Sequence, residues 1–203
     1  NMLGTTLLAS TYVGGSNNEF MNLLGLAPYG WNVGEMECDD SGNVYIIGST
    51  NSPDFPVTTG VISTTLQGGE DAVVFKMNST LSNLIWSTFL GGSLSESGIS
   101  IKLDGKGGVY CFGSTNSSNF PTTAGAYNTT KNGAGAISDL YISHLNSTGT
   151  AFLSSTFLGT GSQDAASLMQ LDNNNNVYVV GNFTSPSVLV PSPGIYNNVS
   201  GYN

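Results

Sequence analysis

Thirteen acidic residues stand against four lysines and one histidine, and there is no arginine. Eight of the acidic residues fall at three recurring positions. Glu19, Glu96 and Asp164 each lie four residues beyond the second position of a Gly-Gly-type pair, at Gly15, Gly92 and Thr160. Asp39, Asp104 and Asp172 each introduce a short segment rich in Gly, Ser and Asn, while Asp71 and Asp139 each open an apolar run. Carboxylates recurring in this way could form rings of hard oxygen ligands, the donor set that Ca²⁺ prefers. The same residue types also cap turns and strand ends by accepting backbone N–H bonds, which accounts for the recurrence without a metal. No turn carries the D-x-[DN]-x-[DN]-G-x₅-E calcium loop. Turn capping is therefore the preferred reading, and no metal or other cofactor is assigned. Ca²⁺ at Glu19, Glu96, Asp164, Asp39, Asp104 and Asp172 is the alternative.

His144 is the sole histidine. A general base needs partners within hydrogen-bond reach, and no Ser or Cys motif points to it. Gly-x-Ser-x-Gly, His-Glu-x-x-His and phosphate-loop patterns are all missing from the sequence. The expectation is a protein without catalytic residues. Asn-x-Ser/Thr triplets begin at Asn78, Asn116, Asn128, Asn146, Asn182 and Asn198. They are candidate glycosylation sites, although a chain this rich in Asn, Ser and Thr accumulates such triplets by chance. Asn78 and Asn146 stand out because they occupy the same turn in successive repeats.

The elements that must position these residues repeat along the chain. Val44-Tyr45-Ile46-Ile47-Gly48-Ser49-Thr50-Asn51-Ser52 returns 65 residues later as Val109-Tyr110-Cys111-Phe112-Gly113-Ser114-Thr115-Asn116-Ser117, and Val177-Tyr178-Val179-Val180-Gly181 follows after another 68. Phe55-Pro56 returns as Phe120-Pro121. Ser10-Thr11-Tyr12-Val13-Gly14-Gly15 recurs as Ser87-Thr88-Phe89-Leu90-Gly91-Gly92 and as Ser155-Thr156-Phe157-Leu158-Gly159. In the central copy, strands are expected near Ile99–Leu103, Gly108–Ser114, Asp139–Leu145 and Ala151–Leu158, each short, rich in β-branched and aromatic residues, and bounded by turn residues. Four antiparallel strands every 65 residues or so is the pattern of propeller blades. One such sheet cannot bury both faces alone, so the units must stack.

The fold class is therefore all-β: a partial β-propeller of about three units, incomplete at both ends. Residues 1–15 carry the last strand of a preceding unit, 16–92 the first unit, 93–160 the second, and 161–203 a partial third. A longer parent protein or neighbouring chains are expected to complete the sheets. Leu7–Val13 is expected to be a strand that could pair into the last unit, within one molecule or between molecules. An insertion at Asn17–Asn32 interrupts the frame. Its Phe20, Tyr29 and Trp31 could contact a partner, but covering the mouth or edge of an end blade is preferred, because large exposed apolar patches are uncommon.

Composition narrows the setting. Only 8% of residues are charged, against about 25% in ordinary globular domains, and the net charge of −9 argues against binding nucleic acid or anionic lipid. The apolar runs are too short for a spanning helix, so no membrane insertion is expected. Cys38 and Cys111 align with apolar strand positions and are expected to be buried free thiols.

The Val-Tyr-x-x-Gly-Ser-Thr-Asn-Ser blocks, Phe120-Pro121-Thr122-Thr123, the Asp-led third strand and Ser-Thr-Phe-Leu-Gly-Gly together resemble the bacterial SBBP β-propeller repeat family. That resemblance implies a secreted or surface-exposed protein and no general catalytic activity. The expected function is a non-catalytic extracellular scaffold or adhesion module. The alternatives are a subunit of a surface filament or layer assembled by strand sharing, and a carbohydrate-binding propeller attached to an enzyme. The expected partners are neighbouring blades or identical subunits, with surface glycans a further candidate.

Overall fold

The computed structural model describes residues 5–20, 22–23 and 32–183. Every helix or strand assigned among them is a strand. The central unit is a meander of β8 (Glu96–Leu103), β9 (Val109–Thr115), β10 (Asp139–Leu145) and β11 (Phe152–Leu158), paired antiparallel in chain order. The first unit repeats it with β5 (Val44–Thr50), β6 (Asp71–Met77) and β7 (Leu84–Leu90), and its first strand is divided between β1 (Glu19–Phe20) and β4 (Glu35–Cys38). Within the described residues the third unit contributes β12 (Asp164–Leu171) and β13 (Val177–Phe183). Equivalent residues pair in equivalent register. Val44 faces Met77 and Thr50 faces Asp71, just as Val109 faces Leu145 and Thr115 faces Asp139.

The division of the first strand has a local cause. β8 is irregular between Gly98 and Ser100, and β12 is irregular at the matching place between Ala166 and Leu168. A bulge already leaves a residue outside the ladder, so extra chain can leave and rejoin there without costing cross-strand bonds. In the first unit the chain departs after Phe20, opposite Ser49, and returns at Glu35, opposite Ile47. The two-stranded ladder of β2 (Asn22–Leu23) and β3 (Asn32–Val33) lies in this excursion. The insertion is thus narrower than 17–32: Glu19 and Phe20 keep the repeat frame.

The units stack face to face. Tyr45, Ile47, Val74 and Trp86 of the first pack against Ile101, Cys111, Tyr141 and Phe157 of the second, all buried. Phe112 and Leu140 on the opposite face of the second unit pack against Met169, Val177 and Val179 of the third. Burying a large apolar side chain stabilises by about 1.5–3 kcal/mol, so these junctions dominate the core. The outward face of the first unit is buried over β6 and β7, where Phe55 packs on Val73, Phe75 and Phe89, but is open over β4, and the outward face of the third unit lacks such cover. Met36 is 67% exposed, whereas its equivalent Ile101 is fully buried. Tyr178 and Val180 are 59% and 60% exposed, whereas Tyr45 and Ile47 are fully buried. Cys38 belongs to the first of these faces and is exposed, contrary to the expectation of a buried thiol. Its slot is apolar only where a neighbouring blade covers it. Cys111, at a covered junction, is buried, and burial pushes its thiol pKa up.

The Phe-Pro loops close the blades in two ways. Phe55 packs on Phe75 and Phe89, and Phe120 stacks on Tyr141 at 4.4 Å between ring centroids. Beyond the prolines, the loop runs along the free edge of the fourth strand. The Thr58 amide donates to the Ser87 carbonyl and Thr58 Oγ1 accepts from the Ser87 amide; Thr123 does the same at Ser155. An exposed strand edge invites pairing with other chains, and these loops occupy it. Leu7–Val13, expected as a strand, has no strand assignment, and Leu7, Leu8 and Tyr12 are exposed. No described sheet provides the third strand that this segment would pair with.

Candidate functional site at the blade junctions

Each recurring carboxylate is engaged by its own unit. Glu96 accepts the Gly92 amide at 2.8 Å and Thr115 Oγ1 at 2.7 Å. Glu19 accepts the Gly15 amide, Thr50 Oγ1 and Ser52 Oγ, and Asp164 accepts the Thr160 amide and hydroxyl. These three acids fasten the crossover from a fourth strand to the next first strand. Asp71 accepts the Gln67 and Gly68 amides, and Asp139 the Asn132 and Gly133 amides, tying the end of the Phe-Pro loop to the third strand. Gly91 lies between the two kinds of lock. A Cβ there would run into the Asp71 carboxyl and come 2.7 Å from Glu96 Oε2, so the glycine of Phe-Leu-Gly is required by close approach.

Asp39, Asp104 and Asp172 cap the first hairpin of each unit. Asp39 accepts the Ser41 and Asn43 amides, Asp104 those of Lys106 and Gly108, and Asp172 those of Asn174 and Asn176. One position of the turn is left-handed in all three units, at Gly42, Gly107 and Asn175, and the second turn adds a left-handed Gly105. These caps also hold a basic side chain in the first two units. Lys76 Nζ lies 3.3 Å from Asp39 and 4.5 Å from the Tyr45 ring centroid. His144 takes the same place, with Nε2 3.0 Å from Asp104 Oδ2 and its ring stacked on Tyr110 at 3.9 Å. Burial works to raise the Asp39 pKa, but the bonds from Asn43 and Lys76 outweigh it and hold the carboxyl at about 2. In Asp104, likewise, the Lys106, His144 and Gly108 bonds overcome burial and hold the pKa below its ordinary value.

Six of the carboxylates were candidates for Ca²⁺; among the described residues no group of three or more His, Cys, Asp or Glu side chains is placed to hold a metal ion. The sequon asparagines are variously placed. The Asn78 side chain accepts the Ser82 and Asn83 amides and donates to Ser82 Oγ, and Asn146 does the same with Thr150 and Ala151. Both are half-buried turn caps rather than free amides. Asn116 and Asn128 are half-buried, and Asn182 is exposed. Tyr29, Trp31 and Asn198, and the side chain of Phe20, lie outside the described residues.

Three features were not legible from the repeat alone. Glu35 bridges the first two blades, accepting from Ser100 Oγ at 2.5 Å, the Ile101 amide at 2.8 Å and Lys102 Nζ at 2.6 Å, while Glu37 accepts the Leu103 amide. Trp86 Nε1 donates to the Ser147 carbonyl, and the Trp86 ring covers Gly149. Glu70 stands near Asp71 and Glu96; burial first, then those two charges, push its pKa up to about 7. The Asp71 pKa rises to about 6, chiefly by burial, against the pull of the Gln67 and Gly68 amides. Glu35, Glu37 and Glu70 escape a frame-based search because their equivalents in the second unit are Ser100, Lys102 and Ser138. The signal that could have found the bridge is the alternation Glu35-x-Glu37 in the same register as Ser100-x-Lys102 of the next unit.

A groove of about 540 Å³ runs between the first two blades, lined by Ser63, Gln67, Asn119, Pro121 and Phe152 among others. Asn119 Oδ1 already accepts from Ser93, and the Gln67 side chain donates to Thr65. No curated protein matches the chain. One segment, residues 85–121, does match a family model, that of the SBBP beta-propeller repeat; the match runs from β7 through β8 and β9 and ends at Phe120-Pro121.

Proposed function

We propose that the chain is a non-catalytic extracellular scaffold or adhesion module, built of stacked blades that display turns and loops. One observation carries this reading: the recurrent acids, glycines and Phe-Pro loops are consumed in fastening strands, crossovers and edges. The residues that could do chemistry are spent on architecture. The low charge and abundant hydroxyl and amide side chains support an extracellular setting. Labelling intact producing cells with an antibody to the chain tests it. Surface labelling is expected, and recovery only from the cytosol would contradict it.

A second reading, a filament or layer subunit assembled by strand sharing, draws on residues 5–13. Val13 packs on the first blade beside Phe55 and Phe89, while Leu7, Leu8 and Tyr12 are exposed. A strand-donating arm needs these features. Deleting residues 1–12 is expected to abolish assembly on this reading and to leave it unchanged if the arm takes no part.

A further inference from the structure

We infer that the first-blade outer face of one copy stacks on the third-blade outer face of a second copy, reproducing between chains the junction that exists within one. The inference rests on blade geometry alone, not on where the module resides or what it adheres to.

The two outer faces are complementary because the repeat makes them so. The third blade presents Leu168, Tyr178 and Val180, all exposed. By repeat position Tyr178 and Val180 correspond to Tyr45 and Ile47, which the first blade buries against the second. On its other side the first blade presents Met36 and Cys38, both exposed, and Ile46, half-buried beside the Phe55, Phe75 and Phe89 cluster. By repeat position Met36, Cys38 and Ile46 correspond to Ile101, Leu103 and Cys111, the residues that receive Tyr45 and Ile47. The molecule therefore carries both halves of a contact it already makes once. None of these six side chains is charged, in a chain of net charge −9, so apposition meets no direct like-charge repulsion. The acids of the first blade's inner strand, Glu35 and Glu37, reach toward the second blade, away from the proposed contact.

A contact between two different faces is heterologous, and it closes only if the rotation per copy completes a ring. Two copies of this 203-residue stretch bring together, among the described residues, four four-stranded units and two two-stranded ones, a number of units within the four to eight blades of closed propellers. The expected assembly is a closed dimer with two identical junctions.

The test is sedimentation of the 203-residue chain and of two variants, with circular dichroism confirming that each variant folds. The wild type is expected at twice the chain mass. Met36→Asp, which charges the first face, and Tyr178→Asp/Val180→Asp, which charges the third, are each expected to be monomeric. An equimolar mixture of the two variants keeps one intact face from each, and is expected to return to a dimer. A wild type that stays monomeric at every concentration would assign the faces to a further blade or another protein and overturn the proposal. So would a dimer that survives either variant, which would be a like-on-like or unrelated contact, or a mixture that stays monomeric.

Discussion

Tyr45 and Tyr178 are the same residue of the same motif, yet one is fully buried and the other more than half exposed. Ile47 and Val180 differ in the same way, and so do Ile101 and Met36. The strands around them pair in equivalent register. What differs is whether another blade lies on that face. Local sequence sets the strand and its register, and stacking sets the burial.

The sharpest way to break this comparison is to truncate both tyrosines. Tyr45→Ala is expected to destabilise by about 3–5 kcal/mol, the range for emptying an aromatic core site. It also removes the edge contact with Trp86 at 6.2 Å and the cation stacking of Lys76. In the Met36→Asp background, which is expected to be monomeric, Tyr178→Ala is expected to cost less than about 1 kcal/mol. Urea melts of the two variants measure the difference, and equal losses would mean that stacking does not decide burial.

A second pair of equivalents is Gly149 and Leu81, both left-handed at φ 67° and 55°. A Cβ at Gly149 would lie 2.7 Å from Trp86, whereas Leu81 packs beside the partly covered outer face. Gly149→Leu is expected to cost about 2–3 kcal/mol through overpacking and left-handed strain. Leu81→Gly is expected to stay within about 1 kcal/mol of wild type, because relief of that strain offsets the lost packing. Thermal melts of both variants check the contrast.

The two junctions also differ in charge. Glu70, Asp71 and Glu96 gather at the first, where the second has Ser138, Asp139 and Asp164. The Glu70 and Asp71 pKa values are raised from ordinary values of 4.5 and 3.8 to about 7 and about 6. Their protons bind more tightly in the folded state, so stability rises as pH falls through about 7 toward 4, and is lost as pH rises through the same window. Asp39 acts oppositely, its contribution fading as pH falls from about 4 toward 2. Glu70→Gln is expected to raise Tm at pH 8 by about 2–4 °C, equivalent to about 1 kcal/mol after solvent screening. The gain should vanish at pH 4.5, which melts at the two pH values will show.

The smallest contrast is between Ser155 and Ser87. Ser155 Oγ donates to the Pro121 carbonyl at 2.6 Å and lies 2.8 Å from Ser143 Oγ. Ser87 is buried with its hydroxyl unpaired, since Phe75 stands where the second blade has Ser143. Ser155→Ala is expected to destabilise by about 1 kcal/mol, and Ser87→Ala to be neutral or stabilising by about 0.5 kcal/mol. Paired melts separate the two signs.

Strands, hairpins and their order were readable from the repeat because turn chemistry and period-two patterning act locally. The turn-capping reading of Asp39, Asp104 and Asp172 rests on the same locality. The exposure of Cys38 was not readable, because alignment to Leu103 transfers the strand position but not the neighbouring blade. The course of residues 5–13 was missed for a related reason: a fourth-strand motif becomes a strand only beside a third strand. The Glu35 bridge depends on two residues that differ between copies, so repetition conceals it.

Amide hydrogen exchange on β5 and β13 in the Met36→Asp variant tests most directly whether stacking, rather than motif, governs each blade. That variant leaves both strands' sequences intact and is expected to be monomeric. For amides bonded to the first strand of their own sheet, exchange from β5 is expected to be slower than from β13 by on the order of 100-fold, because β5 opens only with the stacked core. Equal protection of Val44–Thr50 and Val177–Phe183 would contradict the account.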